Sequence, residues 1–240
     1  MTTTLYGWGA MFDLPSPSPY VAKTDIQLQM LGVQFDRALA DLDTVGKHKA
    51  PYVNDEGQLI EDSAFIRRHF EAKLGKDLDA GLTAEQRGAA WALGGMLENR
   101  LAQIMVCERW LIDENFNRGP RQFFAMVPEE MREAVIEQVR GDFRSTMHGA
   151  GFARFTRDEQ MQIARADIAA AAAILGDREW MFGDRPSAVD ATAYGVLSAC
   201  STQFFDTPLV DMIAQQSTLS AYLERMRQAY FPSDRWPAMG

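Results

Sequence analysis

The chain predicts an α/β unit of βαβ-ββα order followed by an all-α helical bundle, and three observations carry that prediction. Stretches rich in β-formers, or alternating apolar and polar with period two, occur only before residue 61. Helical apolar spacing separates those stretches and takes over from Thr83 onward. Between the two regimes, Gly75 to Leu82 carries two glycines and no clean periodicity, which is the composition of a linker. The expected domains are 1–78 and 79–240.

Thr4-Leu5-Tyr6-Gly7-Trp8-Gly9-Ala10 reads as a first strand whose glycines mark close approach of other backbone. Met11 to Pro17 is loop, and a helix starts at Pro19. Proline lacks the N–H that a first-turn residue leaves unbonded, and its fixed φ suits a helix start, so Ser18 is the N-cap and Pro19 is N1. Ala22, Ile26 and Met30 recur every four residues with Leu28 and Leu31 beside them, which predicts one buried face; Gly32 stops the helix. Val33 to Leu39 alternates as a half-buried strand, and the strand–helix–strand order favours parallel pairing through a right-handed crossover. Pro51-Tyr52-Val53-Asn54 and Gln58-Leu59-Ile60 flank Asp55-Glu56-Gly57, a hairpin-turn composition, so this pair is expected to be antiparallel. Asp62-Ser63 then opens a helix with Ala64, Ile66, Phe70 and Leu74 at its apolar positions and Gly75 as its stop.

Thr83-x-x-Gln86 spells a capping box at the start of a long helix, where Leu93, Leu97, Leu101, Ile104, Met105 and Glu108 keep to one stripe. Further helical patterns cover Pro128 to Met147, Thr156 to Leu175, Ser187 to Thr202 and Pro208 to Tyr230. Gly149, Gly151, Gly176, Gly183 and Pro186 separate them.

With 240 residues, 47% of them hydrophobic, the chain has ample material for a packed core. Its net charge of −9 argues against a nucleic-acid surface, because such surfaces draw most of their affinity from Lys and Arg. No run approaches the roughly 20 apolar residues of a membrane span. Met1 to Leu5 lacks a basic segment followed by an apolar one, so a cytoplasmic protein is expected. Cys107 and Cys200 lie in separate helical patterns and read as buried free thiols, while His48, His69 and His148 form no metal-type cluster. No metal is expected.

The chemistry that the residues offer is concentrated at Ser18. A helix start collects unpaired N–H groups and about half a positive charge, so an anion beside Ser18 would be stabilised without a charged side chain. A free thiol ionises near pH 8.5, and a hydroxyl donor together with a helix N-terminus favours the thiolate. The same Ser-Pro pair is also an ordinary helix cap.

Four motifs in chain order resemble those of the glutathione transferases, over a span from Leu5 to about Pro232. Ser18-Pro19-Tyr20 resembles the Ser-Pro-aromatic start of the first helix in serine-type members, where the hydroxyl lies beside the sulfur of glutathione. Lys49-Ala50-Pro51-Tyr52 is similar to the segment whose proline is cis and whose preceding residue pairs with the cysteinyl backbone of glutathione. Asp62-Ser63 resembles the acidic-Ser pair that holds the γ-glutamyl carboxylate, and Ser187-Ala188-Val189-Asp190 the capping box of a core helix in the second domain. Within the superfamily the spelling at 18–25, Ser-Pro-Tyr-Val-Ala-Lys-Thr-Asp, is nearest the failed-axon-connections and metaxin-like branch. Glu108-Arg109-Trp110, Asp206-Thr207-Pro208-Leu209 and Tyr230-Phe231-Pro232 resemble that branch too.

The resemblance implies a thioredoxin-like first domain, glutathione as co-substrate and a two-fold homodimer. Ser18 is then the residue that stabilises the thiolate for attack on a small hydrophobic electrophile, a peroxide or a disulfide. Tyr6 is its rival, because other members activate the thiol with a tyrosine on the first strand. Tyr20, Lys49, Ala50, Pro51, Asp62 and Ser63 are the expected glutathione contacts. Met105, Glu108, Arg109 and Ile112 are the expected wall of an acceptor pocket between the domains. The alternative in the same branch is a binding or scaffold module in which the Ser18 elbow is only a cap.

Overall fold

A computed structural model of the chain describes residues 2–233 and 236. Its sheet is built around β1 (Thr3–Gly7), which pairs in parallel with β2 (Phe35–Leu39) and antiparallel with β3 (Tyr52–Asp55). β4 (Gln58–Glu61) completes the order β2-β1-β3-β4. The two parallel strands are joined by α1 (Pro19–Leu31), the crossover that parallel pairing needs. Glu56 and Gly57 turn the β3–β4 hairpin with φ of 56° and 93°, the two positive values that a two-residue turn between twisted strands favours. The thioredoxin-like βαβ-ββα order closes with α2 (Ser63–Leu74). Leu5, Val53 and Ile60 from the sheet meet Leu28 and Leu31 of α1 and Ile66 and Phe70 of α2 in one apolar core. Neighbouring residues in a pleated strand face opposite ways, so Tyr6 and Tyr52 project from the other face, stacked with centroids 4.6 Å apart.

β1 stops three residues before the expected Ala10, because neither neighbouring strand extends past Gly7 and Tyr6 to pair with more of it. Met11 and Leu14 instead close a tight turn on each other, with Phe12 and Asp13 at φ near 60°.

The second domain is all helical among the described residues. α3 (Ala84–Met96) starts at the Thr83 capping box and runs through a π-helical turn, Leu97–Leu101, into α4 (Ala102–Leu111). α5 (Asp113–Arg118) and a 3₁₀ turn at Pro120–Phe124 occupy a stretch for which the sequence shows no clear period. α6 (Glu129–Gly149) and α7 (Arg157–Leu175) follow, then α8 (Ala188–Ser201). The single helix expected from Pro208 to Tyr230 is two, α9 (Pro208–Ala214) and α10 (Ser217–Tyr230), because Gln216 leaves helical geometry at ψ 85°. No helix among the described residues is long and apolar enough to cross a membrane. Cys107 and Cys200 are free and buried, and burial pushes their thiols up to about 11 and about 12.

α8 is buried continuously from Ala188 to Cys200 and packs along α1. At its start Asp190 Oδ2 accepts from both the backbone N and the Oγ of Ser187 at 2.8 Å, and Oδ1 accepts from the Met181 amide at 2.8 Å. The sequence predicts one buried face for α1, but ten of its thirteen residues are buried, Lys23, Thr24, Asp25 and Gln27 among them. The helix lies between the sheet with α2 on one side and α8 on the other, so most of its polar groups are satisfied inside, Thr24 Oγ1 and Gln27 Oε1 being the exceptions. Asp25 takes a bidentate pair from Arg37 at 2.6 Å, and Gln27 donates to the Ala188 carbonyl at 3.2 Å.

Candidate active site

The C-terminal end of β1 and the starts of α1, β3 and α2 all lie at one end of the sheet, which gathers Ser18, Pro51 and Asp62-Ser63 around that end. Ser18 is the N-cap of α1, with its Oγ accepting from the Val21 amide at 3.4 Å. Its hydroxyl proton has no acceptor among the described residues, so it is available to a ligand. The Ser18 amide donates to Ser16 Oγ at 3.3 Å. Arg109 supports the elbow from beneath, donating from Nη1 to the Pro17 carbonyl at 3.0 Å and from Nη2 to the Ala199 carbonyl at 2.6 Å. The half-buried serine is thus held on a turn that is tied from both sides.

The Ala50–Pro51 peptide is cis, and the Pro51 carbonyl accepts from the Asp62 amide at 3.2 Å, which ties the two motifs together. Asp62 sits at φ 82°, a conformation that is strained for any residue with a side chain, and caps α2 by accepting from the Ala64 amide at 2.9 Å. Strain of this kind persists where surrounding structure enforces it, here the Pro51 carbonyl on one side and the first turn of α2 on the other. The buried Ser63 Oγ accepts from Lys23 Nζ at 3.4 Å, and the same ammonium pairs with Glu98 at 2.6 Å across the domains. Tyr20 also reaches across, donating to the Glu98 carbonyl at 3.0 Å. Burial, with the Glu98 carboxylate nearby, pushes its phenol up to about 12, so it is a neutral donor at physiological pH. Next to this bridge a groove of about 660 Å³ runs between α2, α3 and α8, bordered by Lys23, Gln27, Ala64, Trp91 and Glu98.

The other expected site residues fall elsewhere. Lys49 is exposed and Ala50 half-buried at the rim. Tyr6 lies under Tyr52 on the sheet face turned away from α1 and α2. Met105 is 2% exposed in the main core of the second domain. Glu108, also 2% exposed, receives both nitrogens of the Arg157 fork at 2.8 and 2.7 Å. Arg109 is 5% exposed and spent on backbone carbonyls, and Ile112 is half-buried at the α4–α5 junction. Three of the four expected wall residues are therefore interior, since the stripe on which they lie is the face that α4 turns to α7 and α8. Ser16, Glu98 and Gln103, whose Nε2 donates to the Glu98 carbonyl at 3.3 Å, take part in the site without any sequence motif to announce them, and the 18–25 spelling includes Lys23 without assigning it a role. One signal was present: Lys23-Thr24-Asp25 is a run of three polar residues between apolar positions of one helix, so some of them face neighbours and must find partners inside.

Comparison with known proteins gives the family and the fold. The glutathione S-transferase N-terminal domain model matches residues 19–115, and the glutathione S-transferase C-terminal domain model matches residues 164–226. The chain belongs to the glutathione S-transferase superfamily. It is 29% identical over 235 residues to an isoprene-epoxide–glutathione S-transferase of a Rhodococcus species, covering 95% of this chain and 98% of that one. It is 28% identical to failed axon connections of Drosophila melanogaster over 91% of its length, and spans 56% of that protein. Human Metaxin-2 is 22% identical over 76% of this chain and 70% of its own. In fold it matches a beta-etherase from a Sphingobium species (TM-score 0.68, 14% identity, 95% of each chain). A glutathione S-transferase from Methylobacterium radiotolerans in complex with glutathione sulfonate also matches (TM-score 0.64, 19% identity, 100% of this chain and 97% of that one).

Proposed function

We propose that the chain is a serine-type glutathione transferase that uses Ser18 to stabilise the glutathione thiolate for attack on a small hydrophobic electrophile. The observation that carries the reading is the state of Ser18: its Oγ accepts from its own helix while its proton is free, at the positive end of α1. A hydroxyl in that state donates to a thiolate and favours it over the thiol. The cysteinyl backbone would lie along the Ala50-Pro51 segment, and the γ-glutamyl end at the α2 start, where Ser63 and Lys23 offer donors to a carboxylate and Glu98 an acceptor to an ammonium. Relatedness over nearly the full chain to a transferase named for an epoxide supports a small epoxide as the electrophile class. In that reaction the thiolate sulfur bonds to a ring carbon, the carbon–oxygen bond opens, and the alkoxide takes a proton from water. Trp91, 77% exposed on α3 beside the open Gly88, supports a homodimer through this face, and the protein's compartment is expected to be cytoplasmic.

Tryptophan fluorescence during glutathione titration tests the first step, and consumption of styrene oxide tests the second. Saturable binding below millimolar concentration and turnover that falls on Ser18→Ala are expected. Absence of both would leave the alternative, a non-catalytic binding or scaffold module, in which Ser18→Ala costs about 1 kcal/mol of stability as a lost cap and nothing else. Elution at monomer mass would remove the dimer.

A further inference from the structure

Arg109 is a cation in an unusual place. It is 5% exposed, makes no ion pair with any carboxylate among the described residues, and bonds only to the carbonyls of Pro17 and Ala199. Its Nε finds no acceptor there, and its guanidinium carbon lies 4.7 Å from the Phe205 ring centroid and 5.9 Å from that of Phe12. Glu108, the adjacent acid, is turned to Arg157, and the titratable group that α8 brings to Arg109 is the Cys200 thiol. Burial pulls the guanidinium down to about 10, which still leaves it charged at neutral pH. A buried charge without a counter-charge is costly, and two carbonyls with two ring faces compensate it only in part.

The place of this charge gives it a use. Its Nη1 partner is the carbonyl of the residue that precedes Ser18, so the guanidinium stands directly behind the N-cap of α1 and adds a full charge to the half charge of the helix end. We propose that Arg109 is the buried counter-charge for the anion received at Ser18, acting as a positioning and electrostatic residue of that site. This rests on the glutathione reading. The other groups facing the cleft do not supply the charge: Tyr20 is neutral, Lys23 is neutralised by Glu98, and Asp62 is an acid that opposes an anion.

The test is the pH titration of the bound thiol, read as thiolate ultraviolet absorbance in the glutathione complex of the full chain. In the wild type the thiol should ionise well below its free value; an unshifted wild type would overturn the glutathione reading itself. Ser18→Ala folds with only a lost cap and should keep about half of the depression, because the charge behind it is intact. A complete return to the free-thiol value in Ser18→Ala would overturn the role given to Arg109. Arg109→Met should raise the bound-thiol pKa by about one unit, a tenfold loss of thiolate below it, and Arg109→Lys should restore most of that. Arg109→Met with lowered thermal stability but an unmoved thiol pKa would make Arg109 a strut and nothing more.

Discussion

Gly195 of α8 lies directly against Pro19 of α1: a Cβ built on this glycine would stand 2.4 Å from the Pro19 carbonyl oxygen and 3.2 Å from its carbon. The contact is backbone to backbone, so nothing flexible is available to yield. It sets the distance between the second domain and the residue that follows Ser18. Gly195→Ala should therefore push the start of α1 away from α8, with an overpacking cost of about 1–3 kcal/mol. Urea midpoints would read the stability loss, and a weaker glutathione response in the folded fraction would read the shift of Ser18.

Ser18 and Ser63 are predicted to fail differently. On the glutathione reading, Ser18→Ala loses the donor to the reacting thiolate and should lower kcat and kcat/KM together, by roughly tenfold if the thiol pKa rises by about one unit. On the same reading Ser63→Ala loses a donor to the non-reacting γ-glutamyl end and should raise KM for glutathione about tenfold with kcat little changed. Steady-state kinetics on the two variants separates these patterns.

Glu108 and Arg157 make a pair whose members are unequally placed, since the carboxylate is 2% exposed and the guanidinium 45% exposed by side chain. Arg157→Ala strands a buried carboxylate and should cost about 3–5 kcal/mol. Replacing both residues by leucine should recover most of that loss, because no charge is left buried. Chemical denaturation of the three proteins tests it.

Asp55 gives the fold a defined response to acid. Burial would raise its carboxyl, but hydrogen bonds from His69, Lys73 and Thr3 outweigh burial and hold it at about 2, against an ordinary 3.8. A carboxyl whose folded pKa lies below its unfolded one adds stability at pH values above 3.8, and that stability is lost as pH falls from 3.8 towards 2. Stability measured by urea at a series of pH values from about 5 to 2.5 should fall less steeply for Asp55→Asn than for the wild type.

Much of the fold was legible because it is written in local signals. Helix starts at Ser18-Pro19, Thr83-x-x-Gln86 and Ser187-x-x-Asp190 are spelled by residues that satisfy the first amides, and each is found capping its helix. The β-hairpin at Asp55-Glu56-Gly57 follows from turn chemistry confined to a few residues. The break at Gln216 was not legible, since no glycine or proline marks it and packing settles it, whereas Gly119-Pro120 does mark the junction of α5 and the 3₁₀ turn in a stretch that otherwise has no clear period.

The candidate site divides the same way. Local spelling was enough for the cap at Ser18 and the capped start of α2 at Asp62-Ser63, and the family resemblance pointed to the cis proline at Ala50-Pro51. What surrounds these devices came from long-range packing. It turned Tyr6 to the far face of the sheet, buried Glu108 and Arg109, set Arg109 behind the elbow, and brought Lys23 and Glu98 together from 75 residues apart. The physical reason is range. A cap or a tight turn is fixed by hydrogen bonds within four residues, whereas which face of α1 or α4 meets solvent depends on whether another helix covers it, and α8 covers both.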